Sequence, residues 1–149
     1  MGALKDRLPL ELREAMKARD RTRLATLRLL TAAVRNREVE LGHDLSDEEL
    51  QAVASTEVKR RREAAEAYEQ GGRPELAQQE RAEQAILETY LPEQLSDEEL
   101  DAIIDEAVAA AGASGPGDVG RVMGQVMGKA KGRADGNEVR RRVSERLGA

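Results

Sequence analysis

Five serines and one histidine are the side chains that nucleophilic catalysis would need, because the chain contains no cysteine. A serine nucleophile needs an activating base beside it and often stands on a sharp strand-to-helix turn. Ser46 and Ser96 instead stand at predicted helix starts, and Ser114 lies in a glycine-rich connection. The lone histidine, His43, is expected in a surface loop. We therefore predict no catalytic residue.

Carboxylates are numerous, but the densest groups stand at helix starts rather than at metal-ligand spacing. Asp47, Glu48 and Glu49 open one predicted helix, and the same three residue types open another. Acidic side chains in a first turn are favoured by the positive end of the helix dipole. We predict no metal site and no cofactor.

Anion binding is the chemistry that the last third of the chain offers. A glycine occupies every fourth position from Gly120 to Gly136. In the predicted helix, Gly120, Gly124 and Gly128 form a stripe beside a face of valine and methionine. Each interior glycine costs roughly 1 kcal/mol relative to alanine, so something should offset that cost. Either another helix packs closely against the bare backbone, or a large partner such as RNA approaches it. We predict that a helix or a partner comes close to the main chain at Gly120, Gly124, Gly132 and Gly136.

Cations surround this glycine segment. The turn near Gly132 precedes a helix start, and amides at such a start can hold a phosphate. The pattern of a P-loop is absent. The candidate RNA-binding residues are Arg121, Lys129, Lys131, Arg133, Arg140 and Arg141.

The elements that must position these residues are all predicted to be helices. Alanine, leucine, glutamate, arginine and glutamine dominate the chain, whereas phenylalanine and tryptophan are absent. Apolar spacing predicts an all-α fold, with a layer of about four helices followed by a compact three-helix module. Leu91-Pro92 marks the boundary, which gives an N-terminal domain of residues 1–92 and a C-terminal module of residues 93–149. In the first helix, Leu4, Leu8, Leu12 and Met16 are expected to form the apolar line.

Charge is distributed unevenly within a net charge of −5. Residues 1–43 carry a formal charge of +4, residues 44–100 carry −10, and residues 114–149 carry +4. Basic ends of this kind can indicate contact with a nucleic acid, but solvated helix faces explain them better. Lys59–Arg62 covers all sides of one helical turn, which favours a salt-bridged exposed helix over an RNA site.

Charged residues interrupt the N-terminal sequence, and no segment approaches the roughly 20 apolar residues that a membrane span requires. We expect no membrane association and a cytoplasmic location.

Three segments resemble the GatB/YqeY family, and together they extend over nearly the whole chain. The closest similarity is to stand-alone YqeY-like proteins. The matching segments are Asp20–Leu30, Arg81–Leu95 and the glycine segment that runs from Gly120 through Lys131-Gly132-Arg133-Ala134-Asp135-Gly136. The sequence differs from the family pattern at Gly128, where a proline is expected in many relatives.

The resemblance implies a helical first domain and a three-helix tail. GatB is a subunit of the glutamine-dependent amidotransferase that converts misacylated Glu-tRNA(Gln) or Asp-tRNA(Asn), and its tail contacts the tRNA body. The resemblance also implies the family's label, carbon–nitrogen ligase activity with glutamine as the amido donor.

We expect a tRNA-binding or amidotransferase-associated accessory protein of translation without its own catalytic site. Two alternatives remain open: a protein-interaction adaptor that does not act on RNA, and a component of the ligase activity itself. The partners expected are tRNA and an amidotransferase or another translation-related protein.

Overall fold

A computed structural model describes residues 2–148 and confirms the all-α class. Within that range there are α-helices and one short 3₁₀ helix, and there is no strand. The chain divides into two compact units, Met1–Leu91 and Pro92–Ala149. The helices are α1 (Ala3–Ala18), α2 (Arg21–Leu41), α3 (Asp47–Gln70), α4 (Pro74–Glu88), α5 (Asp97–Ala111), α6 (Val119–Ala130) and α7 (Gly136–Arg146), and the 3₁₀ helix is Pro116–Asp118.

The first unit packs α1 to α4 around an aliphatic core. Leu27, Leu30, Leu45 and Leu50 have no exposed surface. Leu4 and Leu12 pack against this core while Leu8 lies in it, as predicted. Met16 was predicted to share that line, but 56% of its surface is exposed. The i+4 spacing drifts by about 40° per step, so the fourth position of the line has rotated away from the core.

Tyr90, which follows α4, is buried against α1. Its hydroxyl donates a 2.7 Å hydrogen bond to Glu11 Oε1, and the Arg7 guanidinium lies 3.9 Å from the ring centroid. Arg7 also donates to the carbonyl oxygen of Thr89 at 2.8 Å. Burial and the Glu11 carboxylate raise the pKa of the Tyr90 phenol far above its usual value. These contacts fix the end of the first unit onto its beginning.

The basic run Lys59–Arg62 contributes to a buried ion pair rather than to an open cationic patch. Arg61 Nη1 lies 2.7 Å from Glu57 Oε1, and both side chains are at least nine-tenths buried. Arg61 also faces Glu83 of α4, and Arg60 pairs with Glu57. The predicted salt bridges are therefore confirmed for Arg60 and Arg61, but the predicted exposure is wrong for Arg61. The buried charges of Arg61 and Glu57 thus have partners within the first unit, as a buried charge requires.

The same capping box begins α3 and α5. The Ser46 hydroxyl accepts from the Glu49 amide and the Glu49 carboxylate accepts from the Ser46 amide. Ser96 and Glu99 repeat this pair of bonds at α5. The predicted capping role of both serines is confirmed. In each box, the hydrogen bond from the serine amide to the glutamate carboxylate lowers the pKa of that glutamate.

The second unit contains a smaller core, built where α5, α6 and α7 pack together. Val122, Val126, Val139 and Val143 are completely buried there. The partly buried Met123 and Met127 extend the same cluster. No helix within residues 2–148 is both long enough and apolar enough to cross a membrane.

Candidate nucleic-acid interface

The turn between α6 and α7 is fixed by hydrogen bonds to the segment that precedes α5. The Leu95 amide donates to the Arg133 carbonyl oxygen at 2.8 Å. The Gln94 side chain donates to the Gly132 carbonyl oxygen at 2.9 Å, and Arg133 Nε donates to the Glu93 carbonyl oxygen at 3.0 Å. Gly132 adopts a φ of +77°, a conformation that glycine enters at little cost. The turn is thus an ordered scaffold for the residues on either side.

Arg133 is therefore occupied as part of this scaffold. It was predicted to bind RNA, and the structure instead places its guanidinium against the main chain of the same unit. The side chain is half-buried. A hydrogen bond to a carbonyl oxygen leaves a guanidinium with further donors, but the bond fixes where they point.

The glycine stripe on α6 faces away from the core. Val122, Val126 and Ala130 point inward, whereas Gly120, Gly124 and Gly128 are exposed. A Cβ atom added at any of these three glycines would meet nothing within 4 Å. Close packing of another helix of residues 2–148, which was one of the two explanations offered for these glycines, is therefore wrong.

Gly136 also has open space around an added Cβ atom. Of the four glycines to which close approach was assigned, only Gly132 has a neighbour at that range, since Pro92 Cγ would lie 3.9 Å from its added Cβ atom. The other three leave bare backbone open to solvent.

Two of the predicted cations on α6 have acidic partners. Arg121 Nη2 lies 2.5 Å from Asp118 Oδ1, one turn earlier. Lys129 Nζ lies 3.3 Å from Glu106 Oε2 on α5. Both cations are more than half exposed, so solvent weakens each ion pair and another anion can replace the carboxylate.

The three consecutive arginines of α7 point in three directions, because successive helical residues are about 100° apart. Arg141 pairs with Glu138 and Glu145 on its own helix. Arg142, which was not among the predicted contacts, bridges to Asp97 and Asp101 of α5. Arg140 projects from another side and is exposed. The predicted cluster is therefore divided among several faces.

Lys131 and Arg140 are the predicted cations that remain available. Both are exposed, and neither side chain has a hydrogen bond or ion pair with any residue in the described range 2–148. Lys131 follows α6 directly, beyond the last glycine of the exposed stripe. An anionic partner of the second unit could therefore contact these two side chains and the exposed main chain of α6.

The start of α7 is less open to a phosphate than the sequence indicated. The Asp135 carboxylate caps the helix and accepts from the Glu138 amide at 3.3 Å. A carboxylate at that position supplies the negative charge that the helix N-terminus favours. The Asp135 carboxylate thus occupies the position at the start of α7 that a phosphate would take.

The residues weighed for catalysis lie apart from any cluster with catalytic geometry. His43 is exposed in the loop before α3, where its Nε2 lies 3.4 Å from Glu49 Oε2. Within residues 2–148, no three His, Asp or Glu side chains are grouped so that they could hold a metal ion.

A second set of cations lies outside the predicted site. Arg21, Arg28 and Arg35 on α2 are exposed and have no partner among the described residues. The uneven charge of the sequence predicted only solvated helix faces at this basic end. The signal that it left unused is the absence of any acidic residue from Arg21 to Arg37.

Within residues 2–148 these features define an all-helical fold with an ordered glycine turn, in which no helix could cross a membrane. Residues 5–147 match the family described as Yqey-like protein, and the chain belongs to that family. The predicted resemblance is confirmed.

Curated relatives carry the name "Altered inheritance of mitochondria protein 41, mitochondrial". The protein from Eremothecium gossypii is 32% identical over 82 residues, covering 54% of this chain and 45% of that protein. The protein from Lachancea thermotolerans is 29% identical over 109 residues, covering 71% and 58%. The protein from Clavispora lusitaniae is 33% identical over 102 residues, covering 66% and 59%. The matches thus span less than two thirds of each relative.

Proposed function

We propose that this chain is a tRNA-binding accessory protein of translation, associated with tRNA-dependent amidotransferases, and that it has no catalytic site of its own. Membership of the YqeY-like family over residues 5–147 carries the proposal. Its role in glutamine-dependent carbon–nitrogen ligation is that of a binding component rather than of the ligase. The proposal includes two domains, residues 1–92 and residues 93–149, of which the second makes the tRNA contact.

The exposed side of α6 supports a contact with a nucleic-acid backbone. Gly120, Gly124 and Gly128 leave room for a large partner to approach the helix main chain. Lys131 and Arg140 supply charge that no neighbour within residues 2–148 neutralises. Backbone amides and cations are the groups that position a protein on phosphates.

Recognition in this proposal is of shape and phosphate rather than of bases. The chain has two tyrosines and no phenylalanine or tryptophan, and Tyr90 is buried. Stacking of unpaired bases on aromatic side chains is therefore a minor contribution. Arg121, Lys129 and Arg141 join the contact by exchanging the carboxylate that each now pairs with for a phosphate, since ion pairs near solvent are weak.

A cytoplasmic location is part of the proposal. The printed names of the three fungal relatives place those proteins in mitochondria. A translation-related role requires tRNA, and therefore a compartment in which proteins are made.

The test is a titration of the full chain with unfractionated tRNA at low and moderate salt. We expect binding that weakens as salt rises. Lys131→Glu combined with Arg140→Glu should weaken it about tenfold and lower the slope of log affinity against log salt by about 2. The matched control is Arg37→Glu combined with Arg81→Glu, which makes the same change of charge at ion-paired positions of the first unit.

Absence of tRNA binding would overturn the proposal. An equal loss in the control pair would also overturn it, because the effect would then come from net charge alone. Arg133 is left unchanged in this test, since its substitution would disturb the turn itself.

A second candidate is a protein-interaction adaptor that does not act on RNA. The observation that favours it is the small-residue surface of α6, which could accept a partner helix as readily as an RNA backbone. Affinity capture from nuclease-treated lysate discriminates between the two. A stoichiometric protein partner that is lost on Gly124→Leu, together with undetectable tRNA binding, would favour the adaptor.

A further inference from the structure

Helix α2 has a charge composition unlike the rest of the chain. From Arg21 to Arg37 it contains five arginines, no lysine and no acidic residue. The whole chain has 29 acidic and 24 basic residues and a net charge of −5. A segment this basic within an acidic protein is the strongest charged feature of the first unit.

Three of these arginines form one line along the helix. Arg21, Arg28 and Arg35 are seven residues apart, which is nearly two helical turns, so their side chains leave the same side of α2. At 1.5 Å per residue their Cα atoms are about 10 Å apart and span about 20 Å in total. We call these three residues the α2 arginine stripe.

The stripe is free, whereas the other two arginines of the segment are paired. Arg23 contacts Glu11 at 3.4 Å and Arg37 contacts Glu40 at 2.8 Å. The side chains of Arg21, Arg28 and Arg35 are exposed and make no hydrogen bond or ion pair with any residue from 2 to 148. The arrangement therefore leaves three guanidinium groups for something outside the chain.

Carboxylates near the stripe do not pair with it, although Asp6 and Glu38 line the same surface pocket as Arg35. No acidic residue stands three or four positions from Arg21 or Arg28. Glu38, three residues after Arg35, is held by Lys5 at 2.5 Å and by the Leu45 amide at 3.0 Å.

Lys17 and Arg19 are two further cations that precede α2 in the sequence. Both are exposed and without an ion pair in the part of the chain that the structure describes.

The spacing fits a long, repeating anion rather than a single small ligand. The three guanidinium groups start from points about 10 Å apart on a convex helix and do not line one cavity. A phosphodiester backbone presents anions at regular intervals over such a length. Arginine suits it because its planar fork donates two hydrogen bonds to one phosphate.

The residues between the arginines distinguish this surface from a membrane or protein interface. Ala25 and Ala32 are exposed beside the stripe, and the large exposed apolar residues near it are Leu29, which is 43% exposed, and Val39, which is 82% exposed and follows Arg35 by four residues. A helix that lies on a membrane needs a broad apolar face, and a protein interface usually has an aromatic or apolar centre. Small side chains instead let a bulky backbone come close to the arginines.

We propose that the α2 arginine stripe binds the phosphate backbone of a structured nucleic acid. The site lies on the first unit, so the proposal goes beyond the tRNA contact assigned to the C-terminal unit and does not rest on it.

The test uses the full chain and a labelled RNA duplex of about 16 base pairs, which is long enough to cover the stripe and lacks the features of tRNA. Replacement of Arg21, Arg28 and Arg35 together by glutamine should weaken binding at least about tenfold and lower the salt slope by about 2 to 3. Glutamine has nearly the helix propensity of arginine, so helix content by circular dichroism should be retained. Replacement of the same three by lysine should preserve most of the salt slope.

The control is the triple variant Arg37→Gln, Arg60→Gln and Arg81→Gln, which makes the same change of charge at three exposed, ion-paired positions. Unchanged duplex affinity in the stripe variant, or an equal loss in this control, would overturn the proposal. Loss of binding to phosphatidylserine vesicles or to polyglutamate, without loss of duplex binding, would overturn it in favour of a membrane or an acidic protein.

Arginine footprinting of the unaltered chain supplies an answer that does not depend on variant folding. Phenylglyoxal modification, followed by mass spectrometry, should show that duplex RNA protects Arg21, Arg28 and Arg35 more than Arg37. Equal protection at all four positions would contradict the stripe.

The stripe variant and the Lys131/Arg140 variant should each be titrated with both duplex and tRNA. If only the stripe variant loses binding, the stripe proposal stands and the C-terminal tRNA contact fails. If only the C-terminal variant loses binding, the opposite holds, so the two proposals fail in distinguishable ways.

Discussion

The main-chain amide of Leu95 donates a hydrogen bond to the carbonyl oxygen of Arg133 at 2.8 Å. This bond joins the segment before α5 to the turn after α6, and Gln94 and Glu93 add two further bonds. Both segments were singled out from the sequence as separate similarities to one family. The structure shows that the two segments are joined by hydrogen bonds between residues 93–95 and residues 132–133.

Gln94→Ala should destabilise the second unit, because the Gln94 amide donates to the carbonyl oxygens of both Pro92 and Gly132. Each lost bond contributes about 1 kcal/mol, so we expect a decrease of about 1 to 2 kcal/mol in the free energy of unfolding, measured by urea denaturation. The control is Gln125→Ala on exposed α6, which should be neutral or slightly stabilising. Equal effects at the two glutamines would contradict this role of the turn.

Gly124→Ala should stabilise α6. Alanine is favoured over glycine in a helix interior by about 1 kcal/mol, and its Cβ atom would meet nothing within 4 Å. Native-state hydrogen exchange of the Val126 amide should slow accordingly.

Gly132→Ala is the contrast, because a φ of +77° costs an alanine about 1 to 2 kcal/mol. A destabilising Gly124→Ala would show that this glycine is needed for packing after all.

Ser46→Ala and Ser96→Ala should each cost about 1 kcal/mol of stability, because each removes the side-chain acceptor of a capping box. The losses should be separable by hydrogen exchange. Ser46→Ala should mainly affect amides of α3, and Ser96→Ala should mainly affect amides of α5. Threonine at either position preserves the acceptor and serves as the control. A uniform loss of protection throughout both units would contradict this local effect.

Stability should fall in strongly alkaline solution because of Tyr90. Its folded-state pKa is raised above the usual value of 10.0. The contribution is therefore complete below pH 10 and is lost as pH rises toward the folded-state pKa. Thermal denaturation of Tyr90→Phe should show a weaker decline above pH 10.

At neutral pH, Tyr90→Phe should be less stable by about 1 to 2 kcal/mol, because the hydrogen bond to Glu11 is lost. Identical alkaline profiles for the two chains would show that Tyr90 is not the responsible group.

Local patterns predicted the helices well. The starts of α3 and α5 follow from a serine succeeded by three acidic residues, and the box at Ser46 depends on contacts only three residues apart. All of this information lies within a few residues, so the sequence displays it directly.

Whether each candidate site residue is paired or available to a partner depends on contacts between residues that are distant in the sequence. Lys129 meets Glu106 of another helix, and Arg133 meets a main-chain oxygen that is distant in sequence. The open space beside Gly124 also requires knowledge of where the other helices lie. The six predicted cations were therefore identified by type, but their availability was not.

The repeated Leu-Ser-Asp-Glu-Glu-Leu segment also affects how the chain acquires its structure. The bonds of each box close loops of three residues, which form far faster than contacts between distant segments. Helix nucleation is the costly step of helix formation, and each unit contains a sequence that lowers this barrier. Since domains generally fold as units during synthesis, Met1–Leu91 can begin to fold while Pro92–Ala149 is still being made.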